Sequence, residues 1–166
     1  MKAPFQFSAR EVVMTFAAIG FLAAFYQGAI VRPLTKRVSN RTLALSGSLI
    51  EAIGFGLMAV ATNLGSVAWL WASILVIGAG YGFLQPSLFS MLSRWADPAR
   101  QGAILGVGQS SSSMARILGA LFAIPLIKMQ AALPYYFSSG LMAVGFIAIL
   151  FALQRGRDFE TSGENS

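Results

Sequence analysis

Apolar residues fall in five runs, at about residues 11–31, 42–61, 67–91, 102–127 and 135–153, and most charged residues lie between them. At about 1.5 Å of rise per residue, a helix over each run is long enough to cross a hydrocarbon core of roughly 30 Å. The pattern therefore predicts an all-α integral membrane protein of five transmembrane helices, with a polar segment at 1–10 and a polar tail at 155–166. The breaks between runs have local causes. Arg32-Pro33 stops the first because proline disfavours helical backbone in the residue before it. Thr62 to Ser66 reads as an uncharged turn and Arg94 to Arg100 as a charged one, while Lys128 and Pro134 flank the turn before the last run. Trp69 and Trp71 open the third run and Trp95 follows its end, placing indoles at both membrane interfaces, where such rings concentrate.

Within the runs the small and polar residues recur at steps of three and four, which puts them on one face of each helix. The fourth aligns Gly102, Gly106, Gln109, Ser113, Arg116 and Ala120; the first Gly20, Ala24, Gln27 and Val31; the second Gly47, Glu51, Gly54 and Met58; the third Gly78, Gly82, Gln85 and Phe89. Small residues let helix backbones approach closely in lipid. The first four helices are thus expected to form one packed bundle, with Gly47, Gly54, Gly78, Gly82, Gly102, Gly106 and Gly119 as packing positions. Glu51, Gln85 and Gln109 all fall about 15 Å from the same flank, counted at the helical rise, so they form a polar layer near mid-membrane. Such a layer suits a transporter's substrate site; for the glutamines, hydrogen bonding between helices is the competing reading. Arg116, some fifteen residues into its run, costs about 2.5 to 3.5 kcal/mol to insert and calls for a partner or a functional role. Glu51 has two readings. Hydrocarbon favours its neutral, protonated form and makes it a candidate proton carrier, whereas pairing with Arg116, roughly 9 Å away in depth, would keep it ionised.

Composition agrees with the pattern. Of the 166 residues, 56% are hydrophobic and 11% charged, and the mean hydropathy is +0.68, against about 25% charged residues in soluble domains. The net charge of +6 suggests nucleic acid only until the basic residues are placed. Arg32, Lys36, Arg37, Arg41, Arg94, Arg100, Arg155 and Arg157 fall on one side of the five-helix arrangement, and Lys2, Arg10 and Lys128 on the other. The richer side is expected to be cytoplasmic, which puts the amino terminus outside and the carboxyl terminus inside. An outside amino terminus without a signal peptide points to a preceding helix. There is no cysteine and no histidine, so disulfides, thiol chemistry and the usual zinc sites are excluded. Serines 110 to 113 have no histidine to activate them, and no glycine-rich turn joins a strand to a helix. The chain reads as neither an enzyme nor a cofactor, metal or nucleic-acid binder.

Two stretches carry a resemblance. GAIVRPLTKRVSNR, residues 28–41, resembles the basic cytoplasmic loop between helices eight and nine of the major facilitator superfamily, with Gly28, Arg32, Lys36, Arg37 and Arg41 as its motif positions and Ser39 where glycine is usual. DPARQGAILGVGQSSSSMARILGALF, residues 97–122, is similar to the loop and eleventh helix, with Ala120 where proline often follows the glycine. The likeness is greatest to bacterial drug and tetracycline proton antiporters. It implies helices eight to twelve of twelve, a half-bundle in the inner membrane, and a coupling role for Glu51, which falls where tetracycline-type antiporters carry an acidic residue in helix nine. It also implies a substrate pathway shared with another set of helices, because two six-helix halves rock against one another in this family.

The expected function is part of a proton-coupled transporter of a small molecule, with Glu51, Gln85, Gln109, Ser113, Arg116 and Gln27 as candidate pathway residues. Its partners would be the bilayer and a second membrane chain or further copy. A non-transporting structural subunit of a larger membrane complex is the alternative, as is a piece of a longer transporter.

Overall fold

The computed structural model describes residues 8–31, 33 and 37–155, all of it helix and short turns. Helix α1 (Ala9–Phe25) runs on into a π-helical stretch, Tyr26–Val31. It is followed by α2 (Asn40–Leu64), α3 (Val67–Trp95), α4 (Gln101–Met129) and α5 (Leu133–Arg155). The last four are each long and apolar enough to cross a membrane, and each extends a little beyond its apolar run.

Local chemistry sets the helix ends. Ser8 and Glu11 form a capping box at the start of α1: the Ser8 amide and hydroxyl both donate to Glu11 Oε2, at 2.7 and 2.8 Å, and the Glu11 amide returns to Ser8 Oγ at 3.4 Å. Ser39 caps α2 by accepting from the Thr42 amide at 3.2 Å. At the other end Gly65 takes the left-handed conformation, φ 62°, while its own amide and that of Ser66 both reach the Ala61 carbonyl. That is the backbone state a side chain resists, so glycine stops the helix here. With only Gly65 and Ser66 between them, α2 and α3 must run antiparallel and side by side.

Their contact is the closest in the molecule. A Cβ on Gly47 would lie 2.7 Å from the Leu84 amide nitrogen; one on Gly54 would meet Ile77 at 2.7 Å; one on Gly80 would meet the Glu51 amide nitrogen at 2.7 Å and the Gly47 carbonyl at 2.8 Å. The α3 face that meets α2 runs through Leu70, Ser73, Ile77, Gly80, Leu84, Ser87 and Met91, alternating steps of three and four. Helix α5 closes over α2 from another side. Ser139 Oγ donates to the Ala52 carbonyl at 2.8 Å, and Asn63 Nδ2 donates to the Tyr136 hydroxyl at 3.0 Å. Near the opposite end, Ala44, Leu84 and Met91 form a buried cluster covered by Leu88, Trp95, Met142, Ile149 and Leu153.

The expectation of one bundle from the first four helices is corrected here. The packed unit is α2, α3 and α5, and α1 and α4 are attached to it more lightly. Helix α4 has no buried residue. It touches α3 where Gly108 meets Phe89 and Leu92, and Gln101 Nε2 donates to the Ser93 carbonyl at 3.1 Å and to the Ser93 hydroxyl. Toward α5 it leaves an apolar groove of about 390 Å³ lined by Leu118, Phe122, Pro134, Phe137 and Leu141 among others. The reason is that a periodic small-residue face states how closely a neighbour can come, but not which neighbour arrives.

Candidate functional site

Glu51 sits midway along α2, 4% exposed, with its backbone and Cγ against the bare backbone of Gly80. Gly47, one turn earlier, and Gly54, one turn later, hold α3 close enough to cover it. Its Oε2 has no hydrogen-bond partner among the described residues, a costly state for a buried polar atom and one that marks a position for scrutiny. Ser87 Oγ, fully buried farther along the same α3 face, is also unpartnered.

The other candidate residues lie elsewhere. Gln85 is on a neighbouring face of α3, where its amide donates to the Tyr81 hydroxyl at 3.3 Å. Gly78 shares that region, where a Cβ on it would lie 3.6 Å from the Tyr26 ring of the π-helical stretch, and Gly82 is buried one turn before Pro86. Gln109, Ser113 and Arg116 are all exposed on α4. Gly102, Gly106 and Gly119 have open space where a Cβ would point. Helices α2 and α4 do not touch, so the structure does not bring Glu51 together with Gln109 or Arg116, and no ion pair joins Glu51 to Arg116. Gln27 lies in the π-helical stretch, but its side chain is outside the described residues, as are Arg32 and Lys36. Gly28 is open to its surroundings, and Arg37 and Arg41 are exposed. Among the described residues, no group of acidic side chains is arranged to hold a metal ion.

Sequence periodicity missed Gly80, Ser87 and Gly108. Glycines 78, 80 and 82 alternate along α3, so either of two adjacent helix faces can be drawn through them. The choice of 78 and 82 picks the face turned toward α1 and α4. Continuing the three-four pattern from Leu70 through Ser73 and Ile77 would have selected Gly80 and then Ser87.

Among the described residues, four helices fit to span a bilayer, with apolar side chains on their outer surfaces and a carboxyl buried in the tightest seam, and these define a multi-pass membrane protein. The chain belongs to the Major Facilitator Superfamily, which it matches over residues 1–165. It is 29% identical over 152 residues to the class C tetracycline resistance protein of Escherichia coli, covering 92% of this chain and 37% of that protein. It is 32% identical over 117 residues to the class G protein of Vibrio anguillarum, covering 70% of this chain and 29% of that one. The class D protein of Salmonella ordonez is 29% identical over the same length, with 70% and 29% covered. The chain thus spans between 29% and 37% of the length of these relatives. No solved structure matches it.

Proposed function

We propose that this chain is one part of a proton-coupled secondary transporter for a small molecule, working in efflux with a second set of helices supplied by another chain, a further copy or the rest of a longer protein. The observation that carries this reading is the face of α4. Gly102, Gly106, Gln109, Ser113 and Arg116 all lie exposed on a helix with no buried residue. Polar side chains and an arginine at membrane depth require protein partners or a water-filled cavity, and a transport pathway between two helix sets provides both. Glu51 is the proton-carrying group in this scheme. It is buried, unpaired and carried on the packed α2–α3 unit, so binding or losing a proton there changes the charge of the tightest seam. The relatives are named for resistance to tetracycline, which makes tetracycline the first substrate to test and export the first direction. The proposed orientation places the end bearing Arg41, Arg94, Arg100 and Arg155 in the cytoplasm of a bacterial inner membrane.

The test is purification in mild detergent, native mass determination, and reconstitution of each species with tetracycline under an imposed pH gradient. Gradient-driven movement by a complex containing this chain is expected. Transport by a single copy would overturn the need for a partner. A stable complex with no flux for tetracycline or other small amphiphiles would favour the structural-subunit alternative.

A further inference from the structure

Hydroxyl groups follow the α2–α3 seam from Glu51 to the arginine-bearing end. The glycine contacts fix the register of the seam: Gly54 meets Ile77, Glu51 meets Gly80 and Gly47 meets Leu84. Continued toward the arginine-bearing end, that register puts Ser87 level with Ala44, and one turn farther Asn40 Nδ2 donates to Ser90 Oγ at 2.7 Å. Ser48 lies between, one turn from Glu51. Ser48 and Ser87 are fully buried, whereas Asn40 and Ser90 are half-buried. Glu51, Ser48, Ser87 and Ser90 therefore follow at steps of roughly 4.5 to 6 Å along the axis, about the reach of two hydrogen bonds through one water.

Their bonding leaves capacity for a relay. Ser87 Oγ has no partner among the described residues. Ser90 accepts from Asn40, which leaves its own proton to point inward, and Ser48 donates to the Leu45 carbonyl at 3.0 Å with its acceptor positions open. The seam differs on the other side of Glu51. There the next buried hydroxyl is Ser73, bonded to Met58 Sδ at 3.3 Å and thus seven residues or roughly 10 Å farther along, with the Ile77 side chain in the gap. Among the described residues, no other titratable or charged side chain of α2, α3 or α5 falls within the seam. Arg41, Arg94 and Arg155 lie at one end and Tyr135 and Tyr136 at the other, while Tyr81 is exposed and bonds to Gln85 on a neighbouring face of α3.

We infer that Glu51 exchanges its proton with the arginine-bearing side through Ser90, Ser87 and Ser48, with one water in each gap, and that Asn40 positions Ser90 for this. A proton from water binds the Ser90 oxygen while the Ser90 hydroxyl proton passes to the next water. The same hand-over at Ser87 and Ser48 ends with a proton on Glu51 Oε2. Each serine is neutral again, and the net change is one proton moved from the aqueous side to the carboxylate. The inference rests on Glu51 as the proton carrier and adds the side and the path of its exchange. The path lies wholly within the α2–α3–α5 unit, so it can be followed without the second set of helices.

The test places the full chain in lipid nanodiscs, where both faces meet the solution, and follows a pH jump by time-resolved infrared spectroscopy. The Glu51 signal is the protonated-carboxyl band that Glu51→Gln removes. Ser87→Ala should slow the rise of this band about tenfold without moving its equilibrium midpoint. Ser87→Thr, which restores a hydroxyl, should recover most of the rate, and Asn40→Ala should slow it by a smaller factor. Ser73→Ala, which removes a buried hydroxyl beyond Ile77, should leave the rate in place. An unchanged rate in Ser87→Ala would overturn the path, and Ser48→Ala carries the same test should that variant fail to fold. Slowing by Ser73→Ala as large as that by Ser87→Ala would overturn the side. A parent chain whose carboxyl bands are untouched by Glu51→Gln would instead overturn the carrier reading beneath the inference.

Discussion

At the residue scale, three glycines hold the seam, and they do so by having nothing beyond Cα. Gly47→Ala would place a methyl 2.7 Å from the backbone nitrogen of Leu84, where no side chain can rotate away. Overpacking of this kind costs about 1–3 kcal/mol, and thermal unfolding in detergent should show it, with Gly80→Ala behaving alike. Gly106→Leu is the contrast, since the space around it is open: the unfolding temperature of the isolated bundle should stay unchanged while association with a partner is lost. Glu51→Gln keeps the shape of the side chain and removes its ability to carry a proton. Folded yield should therefore be retained while gradient-driven transport disappears; undiminished coupling would rule out Glu51 as the carrier. Glu51 was legible in the sequence because a carboxyl inside an apolar run stands out by itself. Its pairing with Arg116 was not: depth along a helix axis is set by residue count, but lateral separation depends on which helices are neighbours. With α2 and α4 apart, the effects of Glu51→Gln and Arg116→Gln on folded yield should add, and a clear departure from additivity would mean that the two meet in the assembled protein.

At the scale of elements, the helices were readable because burial in lipid demands long apolar runs whatever they pack against. Their ends follow from short-range chemistry, and Gly65 is the sharpest example. Gly65→Ala forces a β-carbon into left-handed backbone and should destabilise the α2–α3 hairpin by about 1 kcal/mol, read as a lower unfolding temperature with helix content retained in the folded state. The order of packing was much less readable. The fourth run carries the most regular small-residue face, yet α4 is attached through Gly108 and Gln101, residues on other sides of the helix. The fifth run carries no such face, yet α5 seals α2 through Ser139 and Tyr136. Hydroxyls that bond to a carbonyl on another helix leave no periodic trace in the sequence.

On the scale of the whole molecule, the ends of the helices sort the basic residues: Arg41, Arg94, Arg100 and Arg155 lie at one end of the bundle and Lys128 at the other. The chain lacks cysteine, so single cysteines report sidedness without background. On intact cells an impermeant thiol reagent should label Gln130→Cys and leave Ala99→Cys unmodified until the membrane is opened. The reverse pattern would invert the proposed orientation. The family was legible because two stretches of loop and helix keep its motif, and the helix count because each run is uninterrupted. What the sequence did not show is that the chain divides into a tight three-helix unit and two lightly held helices.

The Ser139–Ala52 bond between α5 and α2 has a consequence for biogenesis. Ribosomes deliver the chain from its amino terminus, so α2 and α3 can pair early, but one flank of α2 must wait for α5, which is synthesised after α4 has already entered the bilayer. During that interval the nascent protein holds an unfinished surface that membrane quality control can recognise. A stop codon placed after Gln130 should therefore yield a product that inserts normally but is degraded rapidly in pulse-chase labelling, and supplying residues 131–166 as a separate peptide should lengthen its lifetime.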